Sequence, residues 1–416
     1  MRSAELKVSR TADDDVRDFY ERMPYPAPLA SLNEHRALYS DPQRRRAVFH
    51  RIWPNEKPGE HQEILVAGCG TSQAARYAMR EPHARITAID ISETSLRHTR
   101  ILQDQYALEN LELHQLALED VDTLGRSFDL IVCTGVLHHL ADPDLGLRAL
   151  RNVLKPKGAI NLMVYATYGR AGIYMLQEYC RMLRMGTSAA DLRDLGALLQ
   201  VLPRDHPLAQ LLDRAKDFRQ PDALADALLH PRDRAYTVPQ LYAWIERCGL
   251  SFGRWVEQAP YLPQCGDLAK AAHASRLAAL SDSAQHAAAE LFRGTMTQHA
   301  LLAYRGDRPH GGQPIQFADE RWRGYIPLRL PWTLCIRERV PAGSVAVLLN
   351  RAHAHKDLIL PINAAEDRLL AQVDGHRTLG EIIAGCRPDD DALHAVHFFQ
   401  QLWSYDQIVF DASSAL

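Results

Sequence analysis

This sequence of 416 residues contains few lysines and has a small net charge. The 48 Lys and Arg side chains nearly balance 51 Asp and Glu side chains, which leaves a formal net charge of −3. Seven of the basic residues are lysine, and the remaining 48 − 7 = 41 arginines are spread along the chain. A nucleic-acid-binding surface needs a concentrated basic patch. We therefore expect no nucleic-acid partner.

Paired cysteines and long apolar segments are also missing. The seven cysteines are widely spaced without a Cys-x-x-Cys pair, which indicates neither a disulfide framework nor a zinc site. We predict reduced thiols and no metal. No apolar run reaches the roughly 18 residues of a membrane helix, and Asp13, Asp14 and Asp15 stand where a signal peptide needs an apolar core. A cytoplasmic protein without a membrane partner is expected.

Strand-like and helical segments alternate between about residues 60 and 166, as they do in parallel sheets with crossover helices. The predicted strands are 63–67, 85–90, 111–116, 128–134 and 159–166. The predicted helices are 72–80, 92–106 and 144–154, the last ending at Lys155-Pro156-Lys157-Gly158. The pattern indicates a doubly wound α/β core.

The rest of the chain divides into five further parts. Amphipathic leucine spacing predicts a helical insertion at about 172–235. A strand at 250–257, an alanine-rich helix at about 268–292 and a strand at 298–304 complete a domain from 56 to 305. Residues 306–312 are rich in glycine and proline and predict a linker. We expect a small separate domain at 313–416 and a helical cover at 1–55.

The sharpest motif runs from Ile64 to Ser72 and passes from an apolar strand through a glycine turn into a helix. Gly68, Cys69 and Gly70 form the turn, where glycine permits a tight bend and close approach of a ligand. A nicotinamide-binding turn would carry a third glycine at position 73, which is glutamine. That difference argues against a dinucleotide.

Asp90 follows Gly70 by 20 residues and ends the second predicted strand. A carboxylate there can accept hydrogen bonds from both ribose hydroxyls. The alternative is an N-terminal cap for the next helix, which Ser92 can also provide. The fourth predicted strand ends at Thr134, and the loop after it, to residue 140, contains His138 and His139. These three residues lie at the rim that faces the crevice of an open α/β sheet.

These motifs, GCGT, Asp90, FDLIVCTGVLHHLADP and LRNVLKPKG, together resemble the class I S-adenosylmethionine-dependent methyltransferases. The resemblance implies a Rossmann-like seven-stranded sheet whose last strand is antiparallel, with S-adenosyl-L-methionine as cofactor. It places Gly68, Cys69 and Gly70 beside the methionyl part and Asp90 with Ile91 at the ribose. Thr134 would lie beside the transferring methyl. The family often has an acid at the position of Val66, for the methionine amino group, and an aspartate at the position of Ala117, for the adenine. Glu119 or Asp120 would take the adenine role.

Two kinds of residue could act on the methyl acceptor or cover the site. His138 and His139 are the candidate general bases because histidine titrates near neutrality; the alternative is a structural histidine bound to a backbone carbonyl. The stretch 16–26 resembles the cover helix of this class, with Tyr20 able to face the sulfonium by a cation–π contact. Its rings could equally pin the segment to the core.

Acceptor contacts are expected in two further places. Tyr165, Tyr168 and Arg170 follow the fifth strand, and Arg232 with Tyr236 lie in a charged turn before a helix, where surface ion pairing is the alternative. Residues 374–383 weakly resemble the PqqD-like winged-helix modules, which implies a winged-helix-like α+β domain that captures peptides. Packing or homodimer formation is the alternative role.

The sequence thus predicts a methyltransferase acting on an oxygen or nitrogen atom of a small-molecule or peptide acceptor. A catalytically inactive methyltransferase-like binding protein is the rival, favoured by Val66 and Ala117. Gln73 disfavours a nicotinamide oxidoreductase.

Overall fold

A mixed eight-stranded sheet forms the centre of the computed structural model, which describes residues 12–59, 61–214, 220–308, 315–385 and 392–415. Its strands are β1 (Glu63–Ala67), β2 (Arg85–Asp90), β3 (Leu111–Gln115), β4 (Phe128–Thr134), β5 (Leu154–Ala166), β6 (Ala235–Tyr236), β7 (Leu250–Trp255) and β8 (Gln298–Arg305). The order is β3-β2-β1-β4-β5-β8-β7, with β6 paired to the end of β5. β8 alone runs antiparallel to its neighbours. The predicted Rossmann-like sheet with an antiparallel strand is confirmed, and β6 is an eighth strand that was not predicted.

Helices cover both faces of this sheet. They are α1 (Ala12–Arg22), α2 (Asn33–Tyr39), α3 (Pro42–Ile52), α4 (Gln73–Arg80), α5 (Glu93–Tyr106), α6 (Pro143–Asn152), α7 (Ala171–Met182), α8 (Ala189–Gln200), α9 (Ala209–Arg214), α10 (Pro221–Leu229), α11 (Val238–Arg247), α12 (Ala274–Ala278) and α13 (Asp282–Arg293). Successive β1 side chains alternate between two buried clusters: Leu65 packs with Ile131 on one face, and Val66 packs with Val132 on the other. Burial on both faces explains the uninterrupted apolar strands.

Local capping sets several helix starts. The Ser92 hydroxyl accepts from the Ser95 amide at 3.1 Å at the start of α5. The Asp142 carboxylate accepts from the Asp144 and Leu145 amides at the start of α6. Thr237 and Gln240 form a capping box at the start of α11. Each cap satisfies amides that have no partner within the helix.

Two predicted element boundaries are wrong. Residues 155–158 do not end a helix but belong to β5, because Leu154 already pairs with Phe128 and an irregularity between Phe128 and Leu130 absorbs the extra residues. The alanine-rich stretch 268–292 is broken into a short 3₁₀ turn, α12 and α13. Asp357 of the C-terminal region accepts from the Asp267 amide at 2.9 Å, so a tertiary contact holds the first turn outside the helix.

The insertion between β5 and β6 consists of α7 to α10. It has its own small apolar core, to which Ile173, Leu176, Leu195 and Leu224 contribute. The insertion therefore forms a wall packed beside the carboxyl end of β5 and not a flexible loop.

The C-terminal region is an α+β unit. Strands β9 (Ile326–Arg329), β10 (Thr333–Ile336), β11 (Ala346–Asn350), β12 (Ile359–Ile362) and β13 (Ile408–Asp411) form two small antiparallel sheets, with helices α14 (Ala364–Ala371), α15 (Leu379–Ala384) and α16 (Ala392–Ser404). It docks on the core through Arg46–Asp411 at 2.6 Å and Arg254–Asp406 at 3.0 Å. Residues 309–314, which include the end of the predicted linker, lie outside the described residues, and the winged-helix-like character stays a prediction.

Across the described ranges, the longest apolar helices are too short or too polar to cross a bilayer. The described cysteines are free thiols, and all but Cys335 are buried. Cys386 lies outside the described residues.

Candidate active site

A cavity of about 510 Å³ opens at the carboxyl ends of β1, β2, β4 and β5. This is the edge at which open α/β sheets bind their ligands. The lining residues run from Val16 to Gln298, so the C-terminal region contributes none of them. The predicted crevice is therefore built by the sheet domain, the N-terminal helix and the insertion.

The glycine turn after β1 forms one wall of the cavity. Gly68 and Gly70 have φ values of 71° and 56°, in the left-handed region that disfavours residues with a Cβ. A Cβ on Gly68 would lie 2.2 Å from a Val136 methyl group, and one on Gly70 would lie 3.3 Å from the Tyr25 carbonyl oxygen. Both glycines thus let other segments approach the turn closely. Cys69, between them, lines the cavity.

Asp90 is fixed beside this turn. Its Oδ2 accepts from the Gly70 amide at 2.8 Å and its Oδ1 from the Ser92 amide at 2.9 Å. Burial raises the pKa of the Asp90 carboxyl, although these backbone donors oppose the rise. Each oxygen keeps a lone pair for a ligand hydroxyl. The Ser92 hydroxyl caps α5, so capping does not require the Asp90 side chain.

Residues that follow β2 and β3 form a further part of the lining. Ile91 follows β2, and Ala117, Leu118 and Glu119 follow β3. Asp120 is exposed and does not line the cavity. Of the two acids predicted to replace the family's adenine contact, Glu119 alone therefore lies at the cavity.

Helix α1 and the segment after it close the cavity from above, as the cover prediction requires. Tyr20, Tyr25 and Pro26 line the cavity. The Pro26 carbonyl accepts from the Thr71 hydroxyl at 2.7 Å. The Glu21 carboxylate accepts from the Glu93 amide at 2.6 Å and from the Thr94 hydroxyl at 2.5 Å, which ties α1 to the start of α5.

The far end of the cavity centres on Asp226 of α10, which the sequence analysis missed. Its Oδ1 accepts from the Tyr20 hydroxyl at 3.1 Å and its Oδ2 from the Tyr165 hydroxyl at 3.2 Å. The residue is 3% exposed, and burial raises the pKa of its carboxyl. A signal was available: Asp226 interrupts an otherwise apolar helix, Leu224-Ala225-Asp226-Ala227-Leu228.

His139 lies beside this carboxylate and lines the cavity. Its Nδ1 is 2.6 Å from the Arg232 carbonyl oxygen, so Nδ1 carries the proton and Nε2 keeps a lone pair. Nε2 has no hydrogen-bond partner among the residues that the structure describes. Burial lowers the pKa of His139, which keeps the ring neutral.

His138, the other candidate base, is not at the cavity. It is completely buried, and its ring lies against that of Tyr165 at 3.9 Å between centroids. Both its nitrogens are unpaired within the described part of the chain. The chain turns through a 3₁₀ segment at Leu137–His139, where the two neighbouring rings pack against each other at 4.2 Å between centroids, and of the two only His139 lines the cavity.

The predicted acceptor contacts are only partly brought together. Tyr165 lines the cavity, whereas Tyr168, Arg170, Arg232 and Tyr236 do not. Arg170 is held by Asp233 at 2.8 Å and covers the Tyr165 ring at 3.5 Å. Tyr236 stacks on Trp244 at 4.8 Å, and Tyr168 is 42% exposed. The Arg232 side chain donates to the His139 carbonyl, so this turn positions His139 and does not itself reach the cavity.

Thr134 was predicted from the loop after β4, and it accepts from the Gln73 amide group at 2.6 Å. Several other lining residues were not predicted by any motif. Met163 and Gln298 lie on β5 and β8, and His35, Arg76 and Arg80 line a more basic side. Such residues meet only through the tertiary fold, so sequence spacing carried no signal for them.

Comparisons with known proteins identify the domain. Residues 65–160 match a family model described as "Methyltransferase domain". An uncharacterised protein of Synechococcus sp. is 39% identical over 197 residues, covering 45% of this chain and 47% of the relative. The ubiquinone biosynthesis O-methyltransferase of Idiomarina loihiensis is 29% identical over 147 residues, covering 32% of this chain and 58% of that enzyme. The chain thus spans about half the length of these curated relatives.

A solved structure shares the fold over most of the chain. PKMT2 from Rickettsia typhi, in complex with AdoHcy, aligns with a TM-score of 0.61 and 16% identity, covering 90% of this chain and 76% of that one. The residues here fit the family's cofactor, because the glycine turn lines the cavity and Asp90 offers two acceptor oxygens beside it. Residues 65–160, with the sheet around them, are therefore a class I S-adenosylmethionine-dependent methyltransferase domain.

Proposed function

We propose that this protein transfers a methyl group from S-adenosylmethionine to an oxygen or nitrogen atom of a small-molecule or peptide acceptor bound in the cavity. One observation carries the proposal. A neutral histidine with a free Nε2 and the glycine turn with Asp90 line the same cavity. A cofactor wall and a proton acceptor are thus combined in one enclosed site.

The cofactor wall comprises Gly68, Cys69, Gly70, Asp90, Ile91 and Glu119. When bound, S-adenosylmethionine supplies an electrophilic methyl group, whose bond to sulfur breaks with the electron pair staying on sulfur as the acceptor's lone pair bonds to carbon. Asp90 accepts from the ribose hydroxyls, and the covering segment around Tyr20 and Tyr25 excludes water.

The proton that an acceptor releases goes to His139 Nε2. The Arg232 carbonyl fixes the tautomer that leaves this nitrogen free. The resulting imidazolium is stabilised by the neighbouring Asp226 carboxylate, whose charge opposes the lowering of the His139 pKa. The insertion therefore contributes to the proposed reaction through α10.

The relatives support methyl transfer without identifying the acceptor. The curated relatives from Idiomarina loihiensis and Acinetobacter baylyi are O-methyltransferases of ubiquinone biosynthesis, and they match less than half of this chain. The similarity to PKMT2 from Rickettsia typhi, at 16% identity, concerns the fold alone. The nature of the acceptor has to come from this chain's own residues.

The test is cofactor binding followed by cofactor turnover. We expect S-adenosylmethionine and S-adenosylhomocysteine to raise the melting temperature of the full chain and NAD to leave it unchanged. A ligand specific for the folded state adds about 2.7 kcal/mol at a hundredfold excess over its Kd. Stabilisation by NAD alone, or by none of the three, would contradict the proposal. Binding without methyl transfer to any O- or N-acceptor would favour the rival binding protein.

A further inference from the structure

Asp226 places an acidic group at the acceptor end of the cavity, and no side chain within the described ranges forms an ion pair with it. The side chain is almost completely buried on an apolar helix. Its hydrogen-bond partners are two phenols, Tyr20 and Tyr165, one on each oxygen. Within the described ranges, no lysine or arginine forms an ion pair with it, because the nearby Arg170 is committed to Asp233 at 2.8 Å.

A buried carboxylate of this kind favours a cationic partner. Removing a charge from water costs several kcal/mol unless a counter-charge and hydrogen-bond donors replace the water. The two phenols are neutral donors, because burial raises the pKa of both Tyr20 and Tyr165 and keeps them protonated. They orient the carboxylate without neutralising it. Each oxygen retains a lone pair on the lining of the cavity.

We propose that the methyl acceptor is a protonated amine, recognised through a charge-assisted hydrogen bond between its ammonium group and Asp226. This inference rests on the proposed function and names the acceptor class of the same site. A neutral hydroxyl would leave the carboxylate without a counter-charge, whereas an ammonium group supplies both the charge and the donors. The rings of Tyr20, Tyr165 and His139 enclose this position.

The arrangement also provides an acceptor for the proton that the bound ammonium group releases. The bound ammonium gives one N–H proton to His139 Nε2, and the nitrogen lone pair thereby exposed takes the methyl group. The products are an N-methylated ammonium, S-adenosylhomocysteine and an imidazolium beside Asp226, so the total charge is conserved. Asp226 first pairs with the substrate cation and then with the imidazolium.

The experiment compares a simple amine with its neutral counterpart on the full chain saturated with S-adenosylhomocysteine. The probes are n-butylamine hydrochloride, 1-butanol and sodium chloride at equal concentration, read out by melting temperature. We expect the amine alone to stabilise the parent protein in a saturable way. Asp226→Asn should weaken the apparent amine affinity by about tenfold or more, because a charge-assisted hydrogen bond is lost, and should keep its affinity for S-adenosylhomocysteine.

A matched variant separates this site from a general loss of negative charge. Asp120→Asn makes the same change at an exposed carboxylate outside the cavity, so it should retain the amine response. An equal amine response in Asp226→Asn, equal stabilisation by 1-butanol, or no amine response in the parent protein would overturn the inference. Loss of S-adenosylhomocysteine binding in Asp226→Asn would also overturn it, because Asp226 would then belong to the cofactor wall. Failure of the parent protein to bind S-adenosylhomocysteine would instead refute the proposed function itself.

Discussion

The two halves of the cavity are built in different ways. The cofactor half uses backbone turns and one carboxylate supplied by residues 68–91, a short continuous piece of chain. The acceptor half joins Tyr20 of α1, His139 after β4, Tyr165 of β5 and Asp226 of α10, which are up to 206 positions apart. The first half repeats a geometry common to its fold, and the second is particular to this chain.

Because of this difference, we expect the first half to determine cofactor binding and the second half to determine selectivity for the acceptor. A compact motif keeps its geometry whatever surrounds it, so different proteins can share it. A constellation assembled from distant elements depends on the packing of each of them, and it can change when an insertion changes. We therefore expect substitutions in the cofactor half to remove all ligand binding, and substitutions in the acceptor half to alter turnover with the cofactor still bound.

Asp90→Ala should give the largest effect. Losing both oxygens beside the turn should remove most of the roughly 2.7 kcal/mol that a hundredfold excess of S-adenosylhomocysteine adds to the free energy of unfolding. Thermal melting with and without the ligand measures it. Asp120→Ala, at an exposed position outside the cavity, is the matched control. Equal shifts in the two variants would remove Asp90 from the binding site.

His139→Gln should lower kcat by roughly a hundredfold, because the proton acceptor is lost, while the Kd of S-adenosylhomocysteine stays nearly unchanged. Single-turnover kinetics and calorimetry separate the two quantities. His138→Gln, away from the cavity, should change kcat far less. If His138→Gln were the slower enzyme, the assignment of the base would be reversed.

Acid should destabilise the acceptor half. Burial lowers the pKa of His138, of His139 and of His230, and it lowers that of His230 to about 2. A histidine in the unfolded chain has a pKa of about 6.5. Below that pH the unfolded chain binds protons that the folded chain rejects, so the free energy of unfolding falls as pH drops from 7 to 5.

Melting temperature against pH measures this loss, and His230→Gln should reduce its slope. His83→Gln, at an exposed position, is the control and should keep the parent slope. A slope unchanged in His230→Gln would show that this ring is not kept neutral by burial.

Tyr165→Phe should give the smallest effect, a loss of about 1 kcal/mol in the free energy of unfolding from one hydrogen bond to Asp226. Tyr20→Phe should cost a similar amount, since its hydroxyl donates to the other oxygen. Denaturant unfolding of both single variants and the double variant measures their coupling. Strictly additive losses would show that the two phenols hold Asp226 independently.

Most residues predicted to bind the cofactor line the cavity, because their sequence signals are local, and their role in binding stays a prediction. The glycines, Asp90 and the loop after β4 are adjacent to strands whose apolar runs are plain, and the sheet with an antiparallel last strand followed from the family resemblance. The acceptor half was predicted in part: Tyr20, His139 and Tyr165 reach the cavity, but Arg170 and Tyr236 do not. Their competing partners, Asp233 and Trp244, are identifiable only once the chain is folded.

The element boundaries failed for a similar reason. Lys155, Pro156 and Gly158 read as a helix stop, yet the long β5 absorbs them through an irregular ladder. A tertiary contact decided that boundary. The C-terminal region contacts the sheet domain, since Asp406 accepts from Arg254 at 3.0 Å and from the Ala259 amide at 3.0 Å. That this region is a separate domain and captures peptides stays a prediction.

Helix α1 joins the two halves, and this has a kinetic consequence. It is tied to α5 through Glu21, and Phe19 packs on Ala225 of α10 next to Asp226. The same short helix thus contacts both the cofactor half and the acceptor half of the cavity. Because α1 contacts both halves, we expect its displacement to accompany the release of both products. We expect the displacement of α1 from these contacts to be the rate-limiting step of turnover.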